Sequence, residues 1–171
     1  MKVLNVNMLE FTTSSPDLEE VSERMDKDAI RNPIAEVNWE SFVYKPEVSF
    51  AIGYSENEIF LKYYVTEEYF KAEMTETNQD VYEDSCVEFF VSPSDDGIYY
   101  NFEFNGLGTC LMGSGTCRGN SIRANPGIIS RIRRKTSVGS TPVPENKGRF
   151  SWTITIAIPT EVFFHHSPGS L

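Results

Sequence analysis

The chain has 171 residues, 40% of them hydrophobic and 23% charged; that mixture suits one folded domain and is too apolar for disorder. A chain of this size buries about 70% of its unfolded surface, so it needs neither a disulfide nor a metal to hold together. The net charge of −10 repels phosphate backbones and anionic headgroups, which argues against nucleic acid and membrane surfaces as partners and leaves neutral ligands unpenalised.

No run of about 18 apolar residues is present, so no helical span is expected. The first residues, Met1-Lys2-Val3-Leu4-Asn5-Val6-Asn7, lack the apolar stretch of a secretion signal. Read as given, the sequence predicts a cytoplasmic protein; a trimmed start would place it outside the cell or in the periplasm. The three cysteines, Cys86, Cys110 and Cys117, are read as free thiols. The odd count speaks against a disulfide framework, although Cys110 and Cys117 could pair across a glycine-rich turn.

Taken along the chain, residues 1–12 alternate weakly and predict a first strand. Ser14-Ser15-Pro16-Asp17 reads as a helix start with a serine cap and a proline in the first turn, giving a short helix over about residues 16–26. Asn32-Pro33 predicts a turn. Strands are then expected over 48–54 and 59–65, joined by a hairpin at Ser55-Glu56-Asn57. Ser85–Val91 is a further strand, the Ser92–Gly97 cluster a turn, and Ile98–Asn105 the returning strand. A strand around Thr109–Met112 follows, then a loop from Gly113 to Pro126. Ile128–Arg134 is read as a strand, 136–148 as a polar loop, and Phe150–Ile158 as the last strong strand, ended by Pro159. Many short strands punctuated by turns predict an all-β, antiparallel β-sandwich of jelly-roll type with a short N-terminal helix.

The hairpin around residues 84–105 carries the chemistry. Alternation places Val87, Phe89 and Val91 on one face of its first strand and Cys86, Glu88 and Phe90 on the other. In the second strand Phe102 and Phe104 share one face, and Asn101, Glu103 and Asn105 the opposite one. If the apolar faces align, Glu88, Asn101 and Glu103 form a polar face of carboxylates and amides, able to make paired hydrogen bonds to hydroxyl groups. The bland alternative is a solvated sheet surface. Tyr82, just upstream, can pack or can stack on a planar ligand face.

Val81-Tyr82-Glu83-Asp84-Ser85-Cys86-Val87-Glu88-Phe89-Phe90-Val91 and Tyr99-Tyr100-Asn101-Phe102-Glu103-Phe104-Asn105-Gly106 together resemble the family 9-like carbohydrate-binding modules. The segments Val37-Asn38-Trp39, Tyr44–Phe50 and Phe150–Pro159 are similar to the subgroup common in gut bacteroidetes. The resemblance spans roughly residues 30–160. It implies a jelly-roll sandwich and a non-catalytic sugar site. Tyr82 then falls on an aromatic wall, Glu88 on a hydroxyl-binding acid, and Asn101 and Glu103 on two polar positions of the neighbouring strand, with residue types that differ from the best-known relatives. Relatives continue beyond the strand that holds Trp152 with further strands that carry a second aromatic wall. This chain stops at Leu171, so the resemblance implies a domain without the family's last strands. The ligand expected is a mono- or oligosaccharide, bound weakly by one ring, with self-association as one way to complete the site. Trp152, inside an alternating strand, is read as core.

Three rival readings stand beside it. Glu88 and Glu103 could act as the two carboxylates of a glycoside hydrolase. The chain could be an interaction or structural module whose sugar site has decayed. Haem chemistry would need axial His or Met ligands, and His165 and His166 are expected in a solvated tail. No cofactor is predicted, and no cysteine–histidine spacing suits zinc; structural calcium in the Ser94-Asp95-Asp96 turn is the one option the resemblance adds. Arg131, Arg133, Arg134 and Lys135 are read as charges that guard an edge strand or balance the acidic face, with anionic sugars as a lesser alternative.

Overall fold

The structure, a computed structural model, describes residues 3–41 and 43–166. Twelve elements follow one another: β1 (Asn7–Met8), α1 (Leu18–Asp28), β2 (Asn32–Ile34), β3 (Glu47–Tyr54), β4 (Glu58–Ala72), β5 (Cys86–Val91), β6 (Tyr99–Asn105), β7 (Cys110–Gly115), β8 (Ile122–Arg123), α2 (Pro126–Ile129), β9 (Arg133–Thr136) and β10 (Val143–Pro159). One sheet runs β1-β3-β4-β10-β9, with β2 also paired to β3. The other runs β5-β6-β7-β8. Every pairing is antiparallel except β1 with β3.

The two sheets face each other across an aromatic-rich core. Leu61, Tyr63, Ile154, Ile156 and Trp152 come from the first sheet, and Val87, Tyr100, Phe102, Phe104 and Met112 from the second, all buried in one cluster. These residues obey the two-residue period of a strand, so one face of each strand is apolar and the other is freed for different work. In the first sheet that other face also has a cover. Phe60, Ala51 and Ala157 pack against Val21, Met25 and Leu9, which brings α1 onto the outer surface. The result is a β-sandwich with a helical third layer on one side.

A buried cation fixes this helix to the sheet. Lys62 points from β4 into the helix layer, where its Nζ donates to Ser22 Oγ at 2.7 Å and to Asp26 Oδ2 at 2.8 Å. Asp26 also accepts from the Tyr64 hydroxyl at 2.5 Å. The Lys62 side chain is only 6% exposed, so its charge depends on this one carboxylate and the helix serine.

Several expectations are corrected. The first strand shrinks to two residues, and Asn32-Pro33 pairs with β3 as part of β2 instead of turning. The helix cap is Asp17, whose carboxylate accepts from the Glu19 N–H at 2.7 Å; Pro16 stands before the cap. Of the strand expected over Ile128–Arg134, only Arg133 and Arg134 pair, as the start of β9. Asn125 caps a short helix with Pro126 in its first turn, and pairing resumes only at Arg133. The Asn-Pro pair is a helix start that apolar alternation outweighed. The polar loop over 136–148 gives way at Val143 to a long β10, bent by register shifts between Val143 and Asn146 and between Lys147 and Phe150. The expected loop from Gly113 holds the end of β7 and all of β8.

Of the two histidines expected in a solvated tail, His165 is exposed, whereas His166 is docked. His166 Nδ1 lies 2.9 Å from the Tyr100 hydroxyl and its Nε2 3.1 Å from Asp96 Oδ2, with the side chain 5% exposed. Residues 167–171, part of the segment with which the chain closes, lie outside the described residues. Trp152 is core as expected, 3% exposed, with Nε1 donating to Glu67 at 2.6 Å. Arg133, Arg134 and Lys135 sit on an edge strand, β9, with Arg131 just before it, and three of these four charges are paired while Arg134 Nη1 is buried without a hydrogen-bond partner. Arg133 forks onto Glu58 at 2.8 and 3.0 Å, and Arg131 and Lys135 pair with Glu161 and Glu19.

Because Lys62 cannot reach water easily, Asp26→Asn leaves it short of its counter-charge. We expect a loss of about 1–3 kcal/mol in urea unfolding. Lys62→Met, which removes charge and need together, should cost less than Asp26→Asn.

Candidate functional site

The β5–β6 register decides what the outer face of the second sheet displays. Val87 pairs with Phe104 and Phe89 with Phe102, so the apolar sides coincide and point into the core. Glu88 therefore stands directly opposite Glu103, and Phe90 opposite Asn101. On the next strand Leu111 pairs with Glu103 and Gly113 with Asn101. Gly113 in turn pairs with Arg123 of β8.

The polar face is graded in depth. Glu88 is exposed, Asn101 is half-buried, and Glu103 is 7% exposed. Asn101 Nδ2 donates to Glu103 Oε1 at 2.6 Å. Glu103 Oε2 and Asn101 Oδ1 are buried without a hydrogen-bond partner. Burial and the neighbouring Glu88 charge push the Glu103 carboxyl up from 4.5 to about 7, against the lowering pull of Asn101 and Arg123. Glu88 is raised as well, by its crowded setting, with Arg118 pulling the other way. Its backbone is held from behind, because the core Tyr63 hydroxyl donates to the Glu88 carbonyl at 3.0 Å.

Two glycines shape the roof. A Cβ on Gly113 would meet Ser121 Oγ at 2.8 Å, and one on Gly115 would meet Asn120 Oδ1 at 2.8 Å and Ser121 Cα at 2.9 Å. Residues 116–121 can lie this close to β7 only because both positions lack side chains. That loop carries Arg118 towards Glu88. Its own shape is set by Asn120, whose Oδ1 accepts from the Thr116 and Cys117 N–H groups at 3.1 and 3.0 Å.

Tyr82 belongs to a 3-10 turn, Val81–Glu83, that packs against β5 and β6. It is 52% exposed and interacts with Asp80. Asp80 binds Arg123 at 2.6 Å, and Arg123 also donates to the Asn78 carbonyl, so the turn and β8 are tied together beside Glu103. Asn105 shares the face by register, opposite Cys86, but is fully buried. Its Nδ2 donates to Asp84 Oδ2 at 2.9 Å, and its Oδ1 accepts from the Leu107 and Thr109 N–H groups. Asp84 also accepts from the Glu73 and Met74 N–H groups, at 3.0 and 2.9 Å. Both residues brace loops. In the 92–97 turn, Asp96 accepts from the Ile98 N–H and contacts His166.

The structure thus brings Glu88, Asn101 and Glu103 together on one face, with Tyr82 on the adjoining turn. It adds residues that sequence reasoning did not select. Phe90 is 56% exposed on the same face, its ring 6.1 Å from that of Tyr99. The signal was available, since an aromatic two residues from Glu88 on a strand must share its outward side. Arg118 and Arg123 left no comparable trace, because their approach depends on the loop path. A separate groove of about 810 Å³ lies on the first sheet, lined by Pro33, Pro46, Val48, Tyr64 and Trp152 among others. Among the described residues no helix is long and apolar enough to cross a membrane.

Comparison with known proteins gives these geometries a context. A family model described as carbohydrate-binding family 9 matches residues 19–171. The chain is similar to a crystal structure of a candidate carbohydrate-binding protein from Bacteroides uniformis ATCC 8492, with 38% identity and a TM-score of 0.91 over 96% of this chain and 75% of that one. A carbohydrate-binding module of family 9 from Caldicellulosiruptor kristjanssonii, in complex with cellotriose, aligns at 12% identity and a TM-score of 0.45, over 90% of this chain and 65% of that one. No curated protein matches.

Because the Glu103 pKa is raised, the folded state binds its proton more tightly than the unfolded chain. That stabilisation is complete below 4.5, the ordinary value, and is lost as pH rises through about 7. Glu103→Gln, which imitates the protonated form, should therefore raise the melting temperature at pH 8 and leave it nearly unchanged at pH 4.5. Carbon NMR titration should show the Glu103 carboxyl moving down towards its ordinary value in Glu88→Gln.

Proposed function

The chain belongs to carbohydrate-binding family 9, and from that premise we propose that it binds a mono- or oligosaccharide, without catalysis, on the outer face of β5 and β6. One observation carries the proposal. Glu103 Oε2 and Asn101 Oδ1 are buried acceptors left without donors, next to an exposed carboxylate on Glu88 and two exposed rings, Tyr82 and Phe90. Sugar hydroxyls are donors that such acceptors lack, and the apolar C–H face of a sugar ring packs on an aromatic.

The division of labour follows from position. Glu103 and Asn101 form the floor and set orientation. Glu88 accepts from the solvent side. Phe90 lies at the Asn101 end of the face, and Tyr82 on the turn that leads into the Cys86 end. A second ring on the sheet itself would supply stacking without a partner chain. Arg118 and Arg123 can donate to ring or hydroxyl oxygens.

Hydrolysis is poorly served by the same geometry. A retaining glycosidase needs carboxyl groups about 5–5.5 Å apart on opposite sides of the scissile bond, and an inverting one needs about 6.5–9.5 Å. Here the two acids rise side by side from one sheet face, with carboxylate oxygens within 4.8 Å of each other. Both therefore address the same side of a ligand.

Calorimetric titration with neutral mono- and oligosaccharides, preceded by a glycan array, tests the reading. Each of Tyr82→Ala, Phe90→Ala and Glu103→Ala should weaken the best ligand roughly 5- to 30-fold, corresponding to about 1–2 kcal/mol. Failure of the wild type to bind any saccharide would sink it. The wild type should release no reducing sugar from that ligand, and Glu88→Gln should make no difference to this.

A further inference from the structure

We propose that Cys86, Glu88 and Glu103 form a site for one soft divalent cation of the zinc class, with an open coordination position facing solvent. The three residues sit at the corners of a small patch. Cys86 and Glu88 are two apart on β5 and so point the same way, and Glu103 stands across from Glu88 on β6. Their donor atoms, a thiol sulfur and a carboxylate oxygen from each acid, all lie within 4.8 Å of one another. Around tetrahedral zinc, with bonds of about 2.0–2.3 Å, donors are roughly 3.3–3.8 Å apart, so a closure of about 1 Å by side-chain rotation completes the set.

A second observation points to a ligand here. Glu103 is 7% exposed, and its Oε2 has no partner. A buried carboxylate beside another carboxylate calls for a positive charge. The nearby cations answer this only in part, since Arg123 is already held by Asp80, and Arg118 acts on the exposed Glu88. The thiol selects the kind of ion. Calcium and magnesium take oxygen ligands, whereas sulfur with carboxylate oxygen suits zinc and its softer neighbours. Cys86 is a free thiol whose weak contact to the Val87 carbonyl spans 3.6 Å and whose sulfur also faces the Phe104 backbone N–H.

The surroundings fit a metal centre. Asn101 Nδ2 holds Glu103 from the side at 2.6 Å, and the Tyr63 hydroxyl holds the backbone of Glu88, the sort of outer contacts that orient ligands. Burial falls from Glu103 through Cys86 to Glu88, which gives an entry path. Three protein ligands leave a fourth position for water or a ligand hydroxyl. The proposal does not depend on the saccharide reading, because the metal is expected to bind with no sugar present.

The test uses the full chain, reduced and stripped with chelator. Titration with zinc chloride by calorimetry should give one ion per chain. Titration with cobalt chloride should give a thiolate-to-cobalt charge-transfer band. Because Cys117 is exposed, the Cys117→Ser variant serves as the background, and the band should survive in it. Cys86→Ser should abolish the band, and Glu103→Gln should weaken zinc more than about 100-fold, beyond the loss usual for an outer-shell contact. No band in the Cys117→Ser background would overturn the proposal, whether or not a Cys86 variant folds. Zinc affinity unchanged in both Cys86→Ser and Glu103→Gln would do so too, by placing the ion elsewhere. Saccharide titrations run separately, with chelator and with zinc, keep failure of the metal site distinct from failure of the sugar site.

Discussion

The pairing of β5 with β6 is the constraint from which the candidate site follows. Val87, Phe89, Phe102 and Phe104 all enter the core between the sheets, and the register that brings them there sets Glu88 opposite Glu103 on the outer face. A slip of one residue in β5 would turn Val87 and Phe89 to the outer face and Glu88 into the core. Hydrophobic burial therefore pays for an unfavourable juxtaposition of like charges on the far side of the same strands. The acids stand side by side on that face, and burial, followed by the neighbouring Glu88 charge, raises the Glu103 carboxyl.

The frame around this hairpin is tied from the inside. Tyr63, Asp84 and Asn105 tie the strand ends and neighbouring loops to the sheets through buried hydrogen bonds. The layer beneath has its own anchor in Lys62 and Asp26, on the opposite side of the molecule from the acid pair. Asp84 shows how a motif residue can be structural. It lies four positions before Glu88 in the segment that carries the family resemblance, yet its carboxylate braces the 73–74 backbone.

Much of this was legible before any coordinates. Two-residue alternation located the strands of the core hairpin and both of its faces, because a strand buried on one side leaves a strong period in the sequence. What was lost has physical reasons. Ile128–Arg134 alternates like a strand, but Asn125 and Pro126 start a helix there, and local capping overrides a weak period. The beginning of β10 is polar on both sides and so carries no pattern. The docking of His166 and the approach of Arg118 and Arg123 depend on contacts between residues far apart in the chain. Alternation groups Asn105 with the outward polar residues; it does share their side of the strand, but neighbouring loops seal it over, which alternation cannot foresee.

The segment 116–121 rests on the sheet through absences, the missing side chains of Gly113 and Gly115, while its own curl is held by Asn120. Neither support involves what Arg118 or Gly119 happens to be. An exchange at position 118 would therefore alter the charge presented beside Glu88 while the scaffold beneath stays as it is.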